Sequence, residues 1–395
     1  MKHLPLISSF CSTPRRKLYL AVAAQMIVSA GAQAAPNGGN IVGGDGTIEQ
    51  AGVDTTIVQN TDHLAIDWES FNIAAEERVQ FIQPDQDSVA LNRILGNEAS
   101  QIFGRLDANG HVILMNPNGV LFGEGASVNV GGLVASGLNI NADDFMNGEF
   151  IFQAVDNTDG TVINNGIINA ATGGNVALIG KQIENQGLIS AKLGSVALAA
   201  GKEAVLTFDN QGLLGVRVSQ EILQSELGVD PAVNNSGEIN AEGGRILMTG
   251  SVSQDIFSQA VNSDGLNTKT SVVMHEDGSF TLGAGADVLN TGTISTSSDT
   301  NDAGQIVVLG ENVNSSGAIL ADSKTANAAG NIEIHSRDTT LLTEDSTTSA
   351  TNDTQQSAAA AKVSSAKATA ATARCAAWTK IRSMSATCQL MRLKL

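Results

Sequence analysis

Cysteine is missing from the central part of this chain. The three cysteines are Cys11, Cys375 and Cys388, so residues 36–355 contain none. This excludes a disulfide framework and a thiolate metal site in that region. A chain without disulfides is also compatible with an export step that requires an unfolded polypeptide.

Aromatic and basic residues are scarce as well. Phe, Trp and Tyr make up 4% of the chain, which favours a thin aliphatic core over a sandwich filled by rings. Of 22 basic residues, four lie within 1–35 and seven beyond residue 355, which leaves 11 against 40 acidic residues between them. That part has a net charge of −29. Phosphate binding relies on basic surface, so we expect no nucleic acid partner.

Residues 1–35 have the composition of a secretory signal peptide. A basic stretch at 14–17 precedes an apolar run at 18–28, which is too short to span a bilayer. An A-x-A pattern predicts cleavage between Ala34 and Ala35. The alternatives are an N-terminal membrane anchor and a twin-arginine export route.

Two turns separated by one short strand stand out at 106–123. The dipeptide Asn109-Gly110 favours a tight turn because both residues tolerate positive φ. The apolar run His111–Met115 follows it, and Asn116-Pro117-Asn118-Gly119 then predicts a second turn. Such turns suit a chain that winds at a set pitch, although they also occur in ordinary all-β proteins. Further short strands are expected at 127–135 and 138–141.

From residue 160 the chain repeats a motif of the form [N/S]-x-G-x-I-x-[A/T], followed by a glycine and alternating apolar residues. The five copies begin at Asn164, Asn185, Asn235, Asn290 and Ser315. Their glycines lie 21 residues apart in the first two copies and 25 apart in the last two. This period, with short alternating strands and glycine corners, is typical of a parallel β-helix.

The β-helix interpretation makes two structural predictions. The isoleucines of the repeats should point inward and stack on one another: Ile168, Ile189, Ile239, Ile294 and Ile319. The corner asparagines should form a hydrogen-bonded ladder. An antiparallel barrel or sandwich is the alternative, and it explains the alternation but not five copies in the same phase.

The spacing of the repeats also predicts the domain organisation. Hairpins inserted into the β-helix are expected at about 202–231 and 252–287. An N-terminal part at 36–155 precedes the repeats at 156–338. Residues 339–395 are rich in Thr, Ser and Ala and then turn basic. We expect this tail to be disordered or to come from a shifted reading frame, with a basic amphipathic anchor as the alternative.

An aromatic cluster precedes the turns. Trp68, Phe71 and Phe81 lie close together in the sequence, near the start of the predicted β-helix. The end coil of a solenoid needs a cap, so we expect these rings to close it. The other candidate cap residues are Asp67, Asn72, Gln83 and Pro84.

Together these motifs resemble the two-partner secretion domain of filamentous-haemagglutinin-type exoproteins. The similar segments are 66–73, 79–84, 102–110 and 116–122, within a resemblance that covers about 36–335. The resemblance implies a right-handed parallel β-helix with an N-terminal cap. It also implies export by the Sec machinery, followed by unfolded passage through an outer-membrane TpsB-type transporter with POTRA domains. Some members carry a second motif, Asn-Pro-Asn-Leu. The nearby stretch of this chain is instead Leu91-Asn92-Arg93-Ile94.

The resemblance also implies the function and the site. Members are adhesins, haemagglutinins, haemolysins or contact-dependent toxins, so we expect a secreted or surface-exposed adhesin with a glycan or protein receptor on a host cell or other surface. The candidate secretion motif is Asn109, Gly110 and Asn116–Gly119. We expect no enzyme, cofactor or metal. The alternatives are a polysaccharide-acting β-helix enzyme and a fragment of a haemolysin or toxin.

Overall fold

Alternation of side chains between two faces shapes the strands. In Ser127–Val130, Thr161–Asn164 and Gln182–Asn185 every second residue is buried. The computed structural model describes residues 35–209, 212–251, 272–274, 280–282, 285–324, 327–352, 361–364 and 367–370. The predicted signal peptide, including Ala34, lies outside the described residues apart from Ala35. In the described part of the chain, no helix has the length and apolar character needed to cross a membrane.

Most strands of the described residues form three parallel sheets. Sheet 1 contains His63–Trp68, Val89–Ile94, His111–Met115, Gly132–Ser136, Asn175–Gly180, Ser195–Ala200, Arg245–Thr249, the first parts of Gln305–Ser315 and Asn331–Leu342, and Ala361–Ser364. Sheet 2 contains Ser100–Ile102, Val120–Phe122, Thr161–Asn164, Gln182–Asn185, Val233–Asn235, Val288–Asn290, the second parts of the same two long strands, and Lys367–Ala370. Sheet 3 contains Asp54–Gln59, Arg78–Ile82, Arg105–Ala108, Ser127–Val130, Ile167–Ala170, Leu188–Ser190, Glu238–Asn240, Thr293–Ser295, Ala318–Leu320 and Thr347–Ser349. The chain visits sheets 1, 2 and 3 in turn, so the predicted parallel β-helix is confirmed.

The predicted isoleucine stack is present in sheet 3. Ile168 pairs in register with Ile189, and the pairing continues through Ile239 and Ile294 to Ile319. Each is at most 1% exposed. The repeat motif therefore corresponds to the corner between sheets 2 and 3 together with the strand that follows it.

The predicted asparagine ladder is also present, at the ends of five successive strands of sheet 2. The amide of Asn164 donates to that of Asn185 at 2.8 Å, and Asn185 donates to Asn235 at 2.7 Å. Asn235 donates to Asn290 at 2.8 Å, and Asn290 donates to the Ser315 hydroxyl at 3.1 Å. These side chains are buried inside the coil, so the ladder satisfies polar groups that water does not reach.

Glycines at the corners allow the coils to approach closely. A Cβ added to Gly187 would overlap the carbonyl oxygen of Gly166 in the preceding coil. A Cβ on Gly194 would overlap the carbonyl of Gly174 in the same way. Close contact between backbones, rather than turn geometry alone, explains the two glycines of each repeat.

Antiparallel strands close the N-terminal end of the coils. Asn40–Gly43 pairs antiparallel with His63–Trp68 at the edge of sheet 1. Gly46–Ala51 and Asp54–Gln59 form an antiparallel hairpin at the edge of sheet 3. Asn40–Gly43 and Gly46–Ala51 thus run opposite to the rest of the two sheets, and they cover the edges that the first coil would otherwise leave open to pairing.

In the part of the chain that the structure describes, three excursions leave the β-helix, each between sheet 1 and sheet 2. The two predicted hairpins are confirmed as Glu203–Asp209 with Gly212–Gln220, and Val272–Met274 with Phe280–Leu282. A short helix, Gln224–Leu227, follows the first hairpin.

The remaining excursion, 137–160, was not predicted from the sequence. The expectation of a strand at 138–141 is wrong, because Asn141 instead caps the helix Ala142–Met146 by accepting from the amide of Asp143. The strand Ile151–Gln153 follows and pairs antiparallel with Glu203–Asp209. The excursion at 137–160 and the first hairpin thus share one three-stranded sheet.

A second hydrophobic core covers the outer face of sheet 1. The strand His111–Met115 is buried at every position because its inner residues face the coil and its outer residues face the excursions. Phe145, Phe150 and Phe152 contribute the rings of this outer core, and Phe145 packs edge-to-face on Phe150 with ring centroids 5.7 Å apart. The strands of sheet 1 beneath this outer core are therefore largely apolar on both faces, as expected for parallel strands covered on each side.

The expected end of the repeats at residue 338 needs correction. The strand Asn331–Leu342 continues past this position, and Thr347–Ser349 pairs with Ala318–Leu320 in sheet 3. Thr340 and Thr348 occupy inward positions and are 2% and 7% exposed. The repeat motif fades there because Thr and Ser replace the apolar residues, but the coils continue. The part of the tail beyond residue 370 lies outside the described residues.

Candidate functional site

The turn Asn116–Gly119 lies at the corner where sheet 1 passes into sheet 2. Asn116 is fully buried, and its amide nitrogen donates to the carbonyl of Glu98 at 2.9 Å and to the Ser100 hydroxyl at 3.0 Å. Its side-chain oxygen accepts from the backbone N–H of Asn118 at 3.0 Å. The N–H of Gly119 donates to the Asn116 carbonyl at 2.9 Å, and Gly119 has a φ of 110°. These bonds explain the positions of the asparagines and the glycine in the motif.

The same turn links neighbouring coils. The amide of Asn118 donates to the carbonyl of Gly96 at 2.9 Å in the preceding coil. The carbonyl of Pro117 accepts from the N–H of Gly160 at 2.9 Å, at the end of the first excursion. The turn therefore connects the loop before it with the segment that re-enters the β-helix after it.

The dipeptide Asn109-Gly110 lies at a different corner, between sheets 3 and 1. Asn109 pairs with the backbone of Gln83, accepting from its N–H at 2.8 Å and donating to its carbonyl at 2.9 Å. The N–H of Gly110 donates to the Gln83 side chain at 2.9 Å. Gly110 does not have the expected positive φ. A Cβ would instead crowd the Ser88 carbonyl, so glycine is needed for close approach.

Gln83 is the centre of a buried polar network. Its amide nitrogen donates to the side chain of Gln59 at 3.0 Å, to the carbonyl of Ser88 at 3.0 Å and to that of His111 at 3.2 Å. Gln59 in turn donates to backbone carbonyls near the cap, including that of Thr61. The network ties the corners of the first three coils together.

The aromatic cluster lies where the sequence places it. Trp68, Phe71 and Phe81 are each 1% exposed, and Trp68 packs edge-to-face on Phe71 with centroids 5.4 Å apart. The Trp68 indole lies directly under Gly39, where an added Cβ would overlap the ring. Its Nε1 donates to the side chain of Asn92 at 3.0 Å. The cluster packs beneath the antiparallel strands that close the coil.

The other candidate cap residues have different surroundings. Asp67 receives both forks of the Arg93 guanidinium, each at 2.7 Å. Asn72 accepts from the backbone N–H of Gln101 at 2.8 Å. Pro84 is exposed. Thus Asp67 and Asn72 link the first coil to the second, and Pro84 lies on the surface.

Two titratable groups in these coils have shifted pKa values. Partial burial opposes ionisation of Asp107, but hydrogen bonds from Arg105 and Arg78 outweigh it and lower the pKa of this carboxyl. Burial lowers the pKa of His111 below its usual 6.5, although Asp87 acts in the opposite direction. The His111 ring is 6% exposed and packs against Gly132. In both cases neighbouring residues of the first coils set the pKa, through two arginines for Asp107 and through burial for His111.

Residues 32–296 match the TPS secretion domain family. The chain belongs to this family. The match spans the cap, the Asn116–Gly119 turn and most of the repeats, so the site described above lies within the TPS secretion domain.

Two relatives from Haemophilus influenzae are named heme/hemopexin-binding proteins. One is 38% identical over 208 residues, which is 50% of this chain and 23% of that protein. The other is 50% identical over 91 residues, which is 23% of this chain and 10% of that protein. The chain therefore matches less than a quarter of the length of either relative.

The solved HMW1 secretion domain from Haemophilus influenzae has a similar fold. It superposes with a TM-score of 0.59 at 22% identity, and the alignment covers 88% of this chain and 100% of that structure. At this identity the likeness supports the fold of the TPS secretion domain alone.

Sequence reasoning missed the partners of the candidate residues. Ser100, Gln59, Asn92 and Arg93 have no motif of their own, yet each bonds to a residue of the candidate site. For Arg93 the available signal was its charge, which is opposite to that of Asp67, the residue it pairs with in register on the outer face of sheet 1. Using this signal requires the pairing register of the first coils, and no sequence repeat reveals that register there.

Proposed function

We propose that this chain is the exoprotein of a two-partner secretion system. After export by the Sec machinery, its N-terminal domain is recognised by an outer-membrane TpsB-type transporter with POTRA domains. The product is secreted or displayed at the cell surface. The observation that carries the proposal is the match of residues 32–296 to the TPS secretion domain family.

The β-helix suits passage of an unfolded chain followed by folding. Residues 36–355 contain no cysteine, so no disulfide in this part hinders unfolded passage. Successive isoleucines of the stack are 21 residues apart at Ile168 and Ile189, and 25 apart at Ile294 and Ile319. Where no hairpin is inserted, each new coil thus pairs with a neighbour close in sequence, whereas Ile189–Ile239 and Ile239–Ile294 are 50 and 55 residues apart. Each coil still pairs with the one before it, so folding can proceed coil by coil.

Within this function, the turn Asn116–Gly119 fixes the secretion-competent N-terminal coils. Both side-chain amides donate to carbonyls of the loop at 95–99 instead of pointing to solvent. This geometry supports a structural role over direct contact of the amides with the transporter. Asn109 and Gly110 have the same role at the neighbouring corner.

Secretion assays test the proposal. The chain is expressed with and without its partner transporter, and the protein is measured in the periplasm, at the surface and in the medium. We expect export to the surface or medium only when the transporter is present. Persistence of export after deletion of the transporter would refute the proposal. Sequencing the N-terminus of the exported protein checks the predicted cleavage between Ala34 and Ala35.

The activity at the surface has two candidates. Adhesion or haemagglutination, through a receptor of glycan or protein on host cells, is what the resemblance to haemagglutinin-type exoproteins suggests. Binding of haem or hemopexin is favoured by the 38% identity to a protein with that name. Binding of the purified chain to hemopexin, to haem and to erythrocytes distinguishes the two.

Catalysis is not part of the proposed function. The matched relatives have the names of binding proteins, and the repeats place Asn, Ser and Ala where stacked carboxylates would be needed for glycan cleavage. Release of reducing ends from polysaccharides by the purified chain would contradict this, and lysis of erythrocytes would favour a haemolysin.

A further inference from the structure

Two arginines lie side by side on the outer face of sheet 3. Arg78 and Arg105 pair in register on neighbouring strands, and the alternation of each strand turns both side chains away from the coil interior. Their side chains are 38% and 56% exposed. The outer core formed with the excursions covers sheet 1, whereas this pair on sheet 3 faces solvent.

A single carboxylate holds the two guanidinium groups together. The Nε of Arg78 donates to one oxygen of Asp107 at 2.6 Å, and the Nε of Arg105 donates to the other at 2.9 Å. The Asp107 side chain is 12% exposed. Partial burial opposes its ionisation, but the hydrogen bonds from Arg105 and Arg78 outweigh it and lower the pKa of this carboxyl. Two positive charges and one negative therefore leave the group with a net positive charge.

The terminal nitrogens of both guanidinium groups remain available. Each arginine uses its Nε for Asp107, and within the described part of the chain the terminal nitrogens have no hydrogen-bond partner. A guanidinium is a planar fork of donors that matches a carboxylate at two points. Because Asp107 already restricts both side chains, binding an anionic group here costs less conformational entropy than binding it between two mobile arginines.

The charge of the whole chain limits which anions can bind this pair. Residues 36–355 contain 11 basic and 40 acidic residues, a net charge of −29. That charge repels a polyanion or an anionic membrane surface. Asp54, which pairs in register with Arg78 on its other side, adds to the repulsion. The two arginines therefore suit a ligand that carries one compact anionic group.

Neutral polar side chains continue the row beyond the arginines. Ser127 pairs in register with Arg105, and Asn129 pairs with Asp107. Asn169 follows in the next coil, and its amide donates to the side chain of Asn129 at 3.2 Å. Hydroxyl and amide groups spaced about 4.8 Å apart can bond to the hydroxyl groups of a sugar. An acidic peptide would instead need a free strand edge or apolar pockets, so these neighbours favour an acidic sugar.

We propose that Arg78 and Arg105 bind the carboxylate of an acidic sugar at the end of a glycan, and that the polar row from Ser127 to Asn169 contacts the adjoining sugar. This rests on the proposed function, since that function brings the folded chain to the cell surface, where it meets such glycans. The receptor then has a chemical class: a glycan that ends in sialic acid or in a uronic acid.

Binding of acidic trisaccharides to the purified mature chain tests this site. The probes are sialyllactose and glucuronyl-lactose, with lactose as the neutral comparison. We expect at least one acidic probe to bind about tenfold more tightly than lactose, or better. Arg105→Gln should weaken this binding about tenfold, and Arg105→Lys should not restore it, because lysine keeps the charge but lacks the planar fork.

An arginine elsewhere on the surface supplies the matched control. Arg217 is exposed on the excursion strand Gly212–Gln220, and Arg217→Gln removes the same charge at a distance from sheet 3. We expect this variant to bind the acidic probe like the wild type. Thermal unfolding of every variant shows whether the fold is retained, and we expect the variants of these exposed arginines to remain folded.

The outcomes separate this site from the proposed function. Absence of binding to both acidic probes, or equal binding by the wild type and Arg105→Gln, refutes the acidic-sugar site. Equal loss in Arg105→Gln and Arg217→Gln refutes it too, since only overall charge would then matter. Competition by sodium sulfate as strong as by the free acidic sugar refutes recognition of the sugar, and tighter binding of heparin refutes the preference for a single anionic group. Secretion that does not depend on the transporter refutes the proposed function and leaves the binding result unchanged.

Discussion

The side-chain nitrogen of Asn185 lies 2.7 Å from the side-chain oxygen of Asn235, although 50 residues separate them. The whole first hairpin and the helix after it lie between these two residues in sequence. The β-helix resumes on the far side of the insertion in the same register, with Ile189 over Ile239. A buried amide ladder thus continues across a gap that the backbone does not bridge directly.

Replacing Asn235 by alanine tests the strength of this ladder. The change leaves the donor of Asn185 and the acceptor of Asn290 without their partner inside the coil. We expect the free energy of unfolding to fall by about 2–4 kcal/mol, measured by chemical denaturation. Asn240→Ala, on the outward side of the next strand, is the control and should cost less than about 0.5 kcal/mol. Equal effects of the two changes would contradict the role of the ladder.

The double variant Asn116→Ala/Asn118→Ala removes two bonds from the loop 95–99. Because Asn116 is fully buried, we expect a loss of about 2–4 kcal/mol in the free energy of unfolding. Asn97→Ala changes an exposed asparagine of the same loop and serves as the control. A double variant that keeps wild-type stability yet is not exported would show that the amides contact the transporter instead.

The capping role of Trp68 is tested by its replacement with alanine. Loss of a fully buried indole from the first coil should cost about 3–5 kcal/mol, and Asn92 would lose its donor. Trp68→Phe keeps much of the volume but not the hydrogen bond, so it should cost less. Phe103→Ala, at a ring that is 36% exposed, provides the comparison. A cost of Trp68→Ala no greater than that of Phe103→Ala would argue against the cap.

Acid should destabilise the chain through His111. Burial depresses the pKa of this imidazole in the folded chain, so below pH 6.5 the unfolded chain binds the proton more readily. The contribution of His111 is therefore complete above pH 6.5 and is lost as the pH falls below it. We expect His111→Gln to be less sensitive to acid than the wild type when unfolding is compared at about pH 8 and about pH 5. An unchanged pH dependence would assign the acid sensitivity to other groups.

Leu193 offers a route to higher stability. It has a φ of 57°, whereas the equivalent positions in the coils on either side are Gly173 and Gly243, with φ of 81° and 68°. A left-handed conformation costs a residue with a Cβ about 1–2 kcal/mol, so Leu193→Gly should stabilise the fold by up to about 1 kcal/mol. Lys192→Gly, which loses an ion pair with Glu242, should not stabilise it. Thermal unfolding distinguishes the two variants.

The features of the fold that were predicted from the sequence are those that local patterns mark. The isoleucine stack, the asparagine ladder and the first hairpin all follow from residues that recur at a set phase or flank a turn signal. The repeated phase predicts the structure because each coil pairs in register with the coil before it. The repeats therefore predicted both the architecture and the residues that face inward.

The candidate site was predicted only in part. Asn116–Gly119 and Trp68 were found, since turn chemistry and a rare aromatic residue are visible locally. Their partners, among them Asn92 and Gly96, were not found, because coil register in the first coils is set by packing rather than by a repeat.

By itself, the sequence determined that this chain winds into a β-helix, because alternation and glycine spacing leave few other ways to bury its aliphatic residues. Only the tertiary structure decided which faces are covered. The run Val112–Met115 is apolar throughout, but the rings that cover its outer face come from an excursion at 137–160 that has no repeat signal. The partners of Asn116 and Asn118 likewise lie in another coil, at Glu98 and Gly96, and contacts between coils leave no local pattern in a single sequence.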